Sequence, residues 1–378
     1  MTQSCAMTKI AEVTEKISPR VAILVRSGNH SPMILAQSLN SMLSRMGCPS
    51  EIIPGVEGIF RRKLPLFVRS RYQHIGRHRR LLEKLRFYQQ DAKLIGRLRH
   101  FTHFILAETI PNAYWRHCYA LEHLQRWTGS QPLALYEVFF LSAAPEIRKE
   151  LEANGDHLND RFDYHFAVTE SSYIRIVPGP NEAVIGLDLA NTSSLSPRPK
   201  HGFVALMDFP HPGFEEERAS QLRVLRSLGI PTIILEGKYT IEEIRSHYQE
   251  ASVMFLQKYE SFGLPIAECL AAGCYIFTPD PALPMAFRQE PNPQPYKGGV
   301  LPAIFRVYSS ESELRAELKR IQSHFDAALT PLSIFREFTA LYPHFYYGNP
   351  EPLLPALAQM QRGMSRSESV QVPSAKTG

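Results

Sequence analysis

Short apolar runs bounded by charged or turn residues alternate with stretches of helical period along most of the chain. The first run is Arg20-Val-Ala-Ile-Leu-Val-Arg26; Ser27-Gly-Asn-His-Ser-Pro32 follows as a turn, and apolar residues then recur at helical spacing over 33–46. Further strands are predicted at 51–54, 101–107, 132–140, 163–169 and 182–187, with a helix through Trp127 between the third and fourth strands. Strands alternating with helices are the pattern of a parallel sheet covered on both faces. Composition then changes: Asn191-Thr-Ser-Ser-Leu-Ser-Pro-Arg-Pro-Lys200 is polar and proline-containing, as a linker is. After it the alternation restarts, with strands at 202–209, 231–235, 253–256 and 275–278 and helices at 215–228, 241–251 and after Leu264. The expected fold is α/β with two Rossmann-like doubly wound domains, one over 20–190 and one over 201–348. Around them lie an N-terminal extension at 1–19, the linker at 191–200, a closing helix at 349–361 and a Ser-rich, disordered tail at 362–378.

The most informative segment is Glu260-Ser-Phe-Gly-Leu-Pro-Ile-Ala-Glu268, running on through Cys-Leu-Ala-Ala-Gly273. Two carboxylates bracket a glycine-containing turn between an apolar strand and a helix. Pro265 suits a first helical position, where its missing N–H has no intrahelical partner anyway, and Gly273 suits the C-terminal stop. The amides of Gly263, Leu264 and their neighbours would open at the helix start, where the dipole favours an anion such as a diphosphate. Glu268 is expected in the first helical turn, a place for a carboxylate only if it accepts hydrogen bonds from ligand hydroxyls. The plain alternative is a solvated Glu260 and a Glu268 that merely complements the dipole.

This segment resembles the Glu-x7-Glu signature of the retaining GT-B glycosyltransferases, the GT4 family in particular, and the match extends upstream through Tyr239-Thr-Ile-Glu-Glu-Ile-Arg-Ser-His-Tyr-Gln-Glu-Ala-Ser-Val-Met-Phe-Leu256. The resemblance implies a GT-B fold whose two domains face a central cleft. It also implies a nucleotide-sugar donor and a glycan or lipid-linked acceptor. Glu260 would touch the donor sugar, Ser261, Phe262, Gly263 and Leu264 would hold the diphosphate, and Glu268 would bind the ribose hydroxyls. No cofactor or metal ion is expected. Toward the cleft from the amino-terminal side, the resemblance places the turn containing Gly28, Asn29 and His30, for which a helix-start residue facing water is the alternative; the His that the family often has after the strand at 132–140 is absent, and Glu137 there and Glu108 at the end of the preceding strand are the polar candidates instead. Departures from the family pattern are plain. Its Arg and Lys after the first strand of the second domain are absent from Met207-Asp-Phe-Pro-His-Pro-Gly-Phe-Glu-Glu-Glu-Arg218, leaving Arg218 and Lys238 as substitutes, each equally readable as a surface charge. A catalytically impaired GT-B protein that binds a sugar nucleotide, a glycan or a partner is therefore the competing reading.

At 378 residues, 44% hydrophobic and 21% charged, the chain can bury two ordinary cores and is not of disordered composition. Its net charge of +5 conceals a strong asymmetry: 61–100 holds 13 Lys and Arg against 2 acidic residues, a local +11 that leaves −6 on the rest. Leu81, Leu85 and Tyr88 fall at helical spacing within it, which fits docking on an anionic membrane surface, an ordinary core stripe with a solvated Arg face, or the charge demand of a nucleic acid. No recognition motif accompanies the basic stretch, and nucleic acid is not expected. Residues 1–19 lack the apolar core of a signal peptide, and no run approaches the roughly 18–20 apolar residues of a membrane span, so the expected location is cytoplasmic, peripheral at the inner membrane face. Five scattered cysteines without a Cys-x-x-Cys pair read as reduced thiols, with Cys269 and Cys274 as packing residues. Gly237-Lys238 lacks the upstream spacing of a phosphate-binding P-loop, and His100, His103 and Glu108 lack a metal-ligand cluster.

Overall fold

The computed structural model describes residues 19–25, 30–55, 92–108, 131–139, 162–170, 178–258, 260, 262–290 and 298–368. Gly28, Asn29, Ser261 and the 61–91 part of the basic stretch lie outside the described residues.

A six-stranded sheet takes the order β2-β1-β3-β4-β5-β6, from Val21–Val25 (β1), Ser50–Pro54 (β2), His103–Ala107 (β3), Leu133–Phe139 (β4), Tyr164–Thr169 (β5) and Glu182–Val184 (β6). Pairs β1–β2, β1–β3 and β3–β4 are parallel, with Ile23 opposite both Ile52 and Ile105. All five residues of β1, Val-Ala-Ile-Leu-Val, are buried, which is why this strand reads as an unbroken apolar run while the edge strand β2 carries Ser50 and Glu51. Helix α1 (His30–Arg45) buries Ile34, Leu35, Leu39, Met42 and Leu43. A second sheet, order β11-β10-β9-β7-β8, is parallel throughout and is built from Ala205–Met207 (β7), Thr232–Ile234 (β8), Val253–Phe255 (β9), Tyr275–Thr278 (β10) and Phe305–Val307 (β11). The strands predicted at 202–209, 231–235 and 253–256 are present but shorter, and the one at 275–278 is present over its full length. Phe305–Val307 and two helices after it were not anticipated.

Around the second sheet lie α2 (Glu215–Ser227), α3 (Ile241–Glu250), α4 (Leu264–Ala271), α5 (Glu311–His324) and α6 (Leu329–Leu341). Thr240 and Glu243 form a reciprocal capping box at the start of α3: the Thr240 hydroxyl accepts from the Glu243 amide at 3.2 Å, and the Glu243 carboxylate accepts from the Thr240 amide at 2.7 Å. The short helix α4 is framed by Gly263 and Gly273, with φ of 64° and 79°. A Cβ on Gly273 would stand 2.5 Å from the Cβ of Pro331, so α6 can seat its first turn against the end of α4 only because no side chain is there. On the other side, Val224, Leu225, Val253, Phe255, Phe277, Leu314 and Leu318 share one core.

The expected linker is not slack throughout. A helical turn at Leu189–Thr192 enters it, and its last residue, Lys200, buries its ammonium group to donate to the carbonyls of Gln249 (2.7 Å) and Ala272 (2.8 Å). Helix α7 runs over Leu353–Glu368, past residue 361 where the sequence reading ended it; the polar residues after Met360 continue the helix instead of opening the tail at 362. Compactness divides the chain into one unit of Met1–Tyr136, His157–His165 and Pro350–Gly378 and another of Glu137–Asp156 and Phe166–Asn349.

Candidate functional site

Strand β9 ends at Phe255, and the chain leaves the sheet through Leu256, Gln257, Lys258 and Glu260 before Gly263 caps the start of α4. A parallel strand followed by a short turn and a helix places that turn at the carboxyl edge of the sheet; Pro265 has no N–H, and the Ile266 and Ala267 amides donate to the Gly263 carbonyl at 2.9 and 3.3 Å, so the Gly263 and Leu264 amides are those left to an anion there. Gly263 takes a φ of 64° at the helix start, and a Cβ there would lie 2.8 Å from Ile266 Cδ1. Pro265 sits in the first turn, as its fixed φ suits.

Glu260 is partly exposed, and its carboxylate meets the Lys258 ammonium at 3.0 Å, the side chains keeping 28% and 30% of their accessible surface. Its amide donates to the Leu283 carbonyl at 3.2 Å, which ties the loop to the segment after β10. Phe262 is fully buried, stacked on Phe287 at 5.7 Å and edge-on to Phe345 at 4.7 Å, so its side chain serves the core and not a ligand. Leu264 is also buried.

Glu268 differs from the expectation in two ways. It lies in the second turn of α4, with no acidic residue in the first. It is also enclosed: Arg245 Nε donates to Glu268 Oε1 at 2.8 Å, with side-chain exposures of 10% and 4%. Burial pushes the Glu268 carboxyl above the usual range, against the opposing pull of Arg245. Arg245 also donates Nη1 to the Thr192 carbonyl at 3.2 Å, while its Nη2 is buried with no partner among the described residues. Glu268 is thus joined through Arg245 to the turn that opens the linker.

Of the two substitute cations, Lys238 is exposed beyond the edge strand β8. Arg218 is not a surface charge. It is 9% exposed, its Nη1 donates to the Asp208 carbonyl at the end of β7, and its Nη2 is buried without a partner among the described residues. Next along α2, Gln221 Nε2 donates to the Leu256 carbonyl at 2.9 Å and approaches Tyr308 Oη at 2.7 Å, leaving Oε1 with no partner among the described residues. In the loop after β7, Asp208 and His211 stand 3.9 Å apart. Arg218, Glu260 and Gly263 are therefore gathered at the ends of the neighbouring strands β7 and β9, and Lys238 lies farther out.

In the amino-terminal sheet, His30 opens α1 and is exposed. Glu108 follows β3, donates its amide to the Tyr136 carbonyl at 2.9 Å and is buried, as is Glu137 within β4. His103 is structural: Nδ1 lies 2.9 Å from Thr102 Oγ1, Nε2 lies 3.0 Å from the Leu357 carbonyl, and burial lowers its pKa. Among the described residues no three His, Cys, Asp or Glu side chains gather as a metal site, and no helix is long and apolar enough to cross a membrane. Cys48, Cys269 and Cys274 are free and buried.

The sequence reading missed Arg245. It lies 23 residues before its partner, but Ile241, Ile244, Arg245 and Tyr248 share the inner face of α3, and a lone Arg on an apolar stripe is the signal of a buried counter-ion.

No protein-family model and no curated protein matches the chain. Among solved structures it is similar to Alr3699/HepE of Anabaena in complex with UDP-glucose, at 11% identity and a TM-score of 0.46, over 92% of this chain and 100% of that one. It is also similar to the UDP-GlcNAc 2-epimerase of Neisseria meningitidis bound to UDP-GlcNAc (10% identity, TM-score 0.48, 89% and 99% coverage). A glycosyltransferase from Rickettsia africae gives 9% identity and a TM-score of 0.44 over 94% and 100% of the two chains.

Proposed function

We propose that the chain is a GT-B glycosyltransferase that binds a nucleotide-activated sugar at the carboxyl edge of its second sheet and transfers the sugar, with retention, to a glycan or lipid-linked acceptor. The observation that carries this reading is the turn from β9 into α4: a partly exposed carboxylate, Glu260, three residues before Gly263, whose positive φ turns the chain into the helix. Amides at that helix start suit the donor diphosphate, and Glu260 suits the hydroxyls of the sugar. The acceptor oxygen bonds to the anomeric carbon as the bond to the diphosphate oxygen breaks, and the departing phosphate takes the acceptor proton. Such a step depends on positioning and on charge placed where the leaving group develops, which Arg218 and the helix start supply in place of a metal ion. Glu268, enclosed by Arg245, is assigned to positioning α4; direct contact with ribose hydroxyls requires that pair to open.

Assay of a nucleotide-sugar panel tests the reading. Glu260→Ala should lower donor turnover by about 10²-fold or more with the circular dichroism spectrum unchanged, and full activity would sink it. A second reading, donor binding without transfer, is favoured by Asp208 and His211 standing where a basic pair is expected. Calorimetric binding of a sugar nucleotide with no turnover or hydrolysis would select it. Docking on an anionic membrane through the basic stretch predicts better flotation with liposomes that contain anionic lipid than with neutral ones.

A further inference from the structure

The loop between β9 and Glu260 contains two residues that no motif singled out. Gln257 is 4% exposed, and neither atom of its carboxamide has a hydrogen-bond partner among the described residues. A buried carboxamide with nothing to bond is costly, and native proteins keep such groups where a ligand or ordered water completes them. Lys258 is the cation nearest in sequence to the helix start, and its contact is the carboxylate that the proposed function reserves for the donor sugar.

We propose that Gln257 and Lys258 belong to the diphosphate subsite of the donor, and that Lys258 changes partner when the donor binds. In the free protein Lys258 neutralises Glu260. A nucleoside diphosphate arriving at the start of α4 presents more negative charge than one carboxylate and attracts the ammonium group to its oxygens. Glu260 is then released to accept hydrogen bonds from the sugar. A partly exposed Lys–Glu pair is weak enough to be exchanged in this way. The cation absent from the loop after β7 is thus supplied from the loop after its neighbour β9, and no carboxylate is left facing the diphosphate unpaired.

The inference rests on the nucleotide-sugar reading, and the experiment separates the two. Calorimetry of the full chain would use uridine, thymidine, adenosine and guanosine diphosphates, each beside its nucleoside. Lys258→Met, which keeps the aliphatic stem, should weaken binding of the diphosphate that the unmodified chain prefers by roughly tenfold, leave the nucleoside unchanged, and recover in Lys258→Arg. Glu260→Gln should move the other way and tighten the diphosphate severalfold, because no ion pair need open. Gln257→Leu should weaken the diphosphate while raising the urea midpoint, since it removes a buried group with no partner. A purely structural role for these residues would not produce those opposed signs. Equal diphosphate affinity in Lys258→Met and the unmodified chain overturns the inference and spares the reading beneath it. An unmodified chain that binds none of the four diphosphates overturns both.

Discussion

At the scale of single residues, the pair Arg245–Glu268 decides more than either carboxylate of the motif alone. Both side chains are almost wholly enclosed, so their charges neutralise each other in a setting where an isolated one would be expensive. Arg245→Met should therefore cost about 3–5 kcal/mol of stability, the penalty of leaving a buried carboxylate alone. Adding Glu268→Leu should recover most of that loss, which urea unfolding of the single and double variants would measure. Equal stability of both would mean that Glu268 is already neutral in the fold. The motif itself was legible because Glu260, Gly263, Pro265 and Gly273 state a local geometry within a few residues of one another. Its closure by Arg245 was not legible, since the partner comes from another helix and a charged residue in an amphipathic stretch reads as solvated until burial is known. Arg218 misled in the same way: its sequence context among Glu215, Glu216 and Glu217 suggests a surface, and only the fold brings it to the Asp208 carbonyl.

At the scale of elements, strands were read well where they are buried throughout, as β1, β3, β4 and β5 are. The last strand, β11, escaped notice because three residues, Phe305-Arg306-Val307, carry too little pattern after a proline-rich stretch. The segment beyond α6 was also unread, although it is closely knit: the amide of Leu187 donates to the His344 carbonyl at 2.8 Å, that of Ala190 to the Tyr346 carbonyl at 2.9 Å, and that of Asn349 to the Ile185 carbonyl at 2.7 Å. His344 lies in this join, where burial lowers its pKa from 6.5 to about 4. Between those values the unfolded chain binds a proton that the folded chain refuses, so the stability present in full above pH 6.5 is lost as pH falls toward 4. Allowing for the partial exposure of the ring, this amounts to about 2 kcal/mol. Urea midpoints at pH 7 and 4.5 should fall farther for the unmodified chain than for His344→Gln; parallel decreases would refute the assignment.

At the scale of the whole molecule, the alternation of strands and helices was enough to foresee two parallel sheets, but not which chain segments associate. The first compact unit recruits Pro350–Gly378 from the far end of the sequence, and in it the Leu357 carbonyl meets His103. Leu353, Leu357 and Met360 are each no more than 3% exposed, and burying side chains of this size contributes about 1.5–3 kcal/mol apiece. Removing residues 350–378 should thus destabilise the first unit by roughly its entire stability, while the second, which contains the β9–α4 turn, keeps its own core. Scanning calorimetry of the shortened chain should show the loss of one transition and nucleotide binding retained; two unchanged transitions would contradict this.

The frame of α4 also has a consequence for ancestry. Most positions of that helix can drift among apolar residues of similar size, whereas any replacement at Gly263 drives an atom into Ile266 and any at Gly273 drives one into Pro331. Over long descent the spacing Glu-x2-Gly-x9-Gly, from Glu260 to Gly273, should outlast the residues around it. Distant kin of this chain are to be sought by that spacing more than by overall likeness.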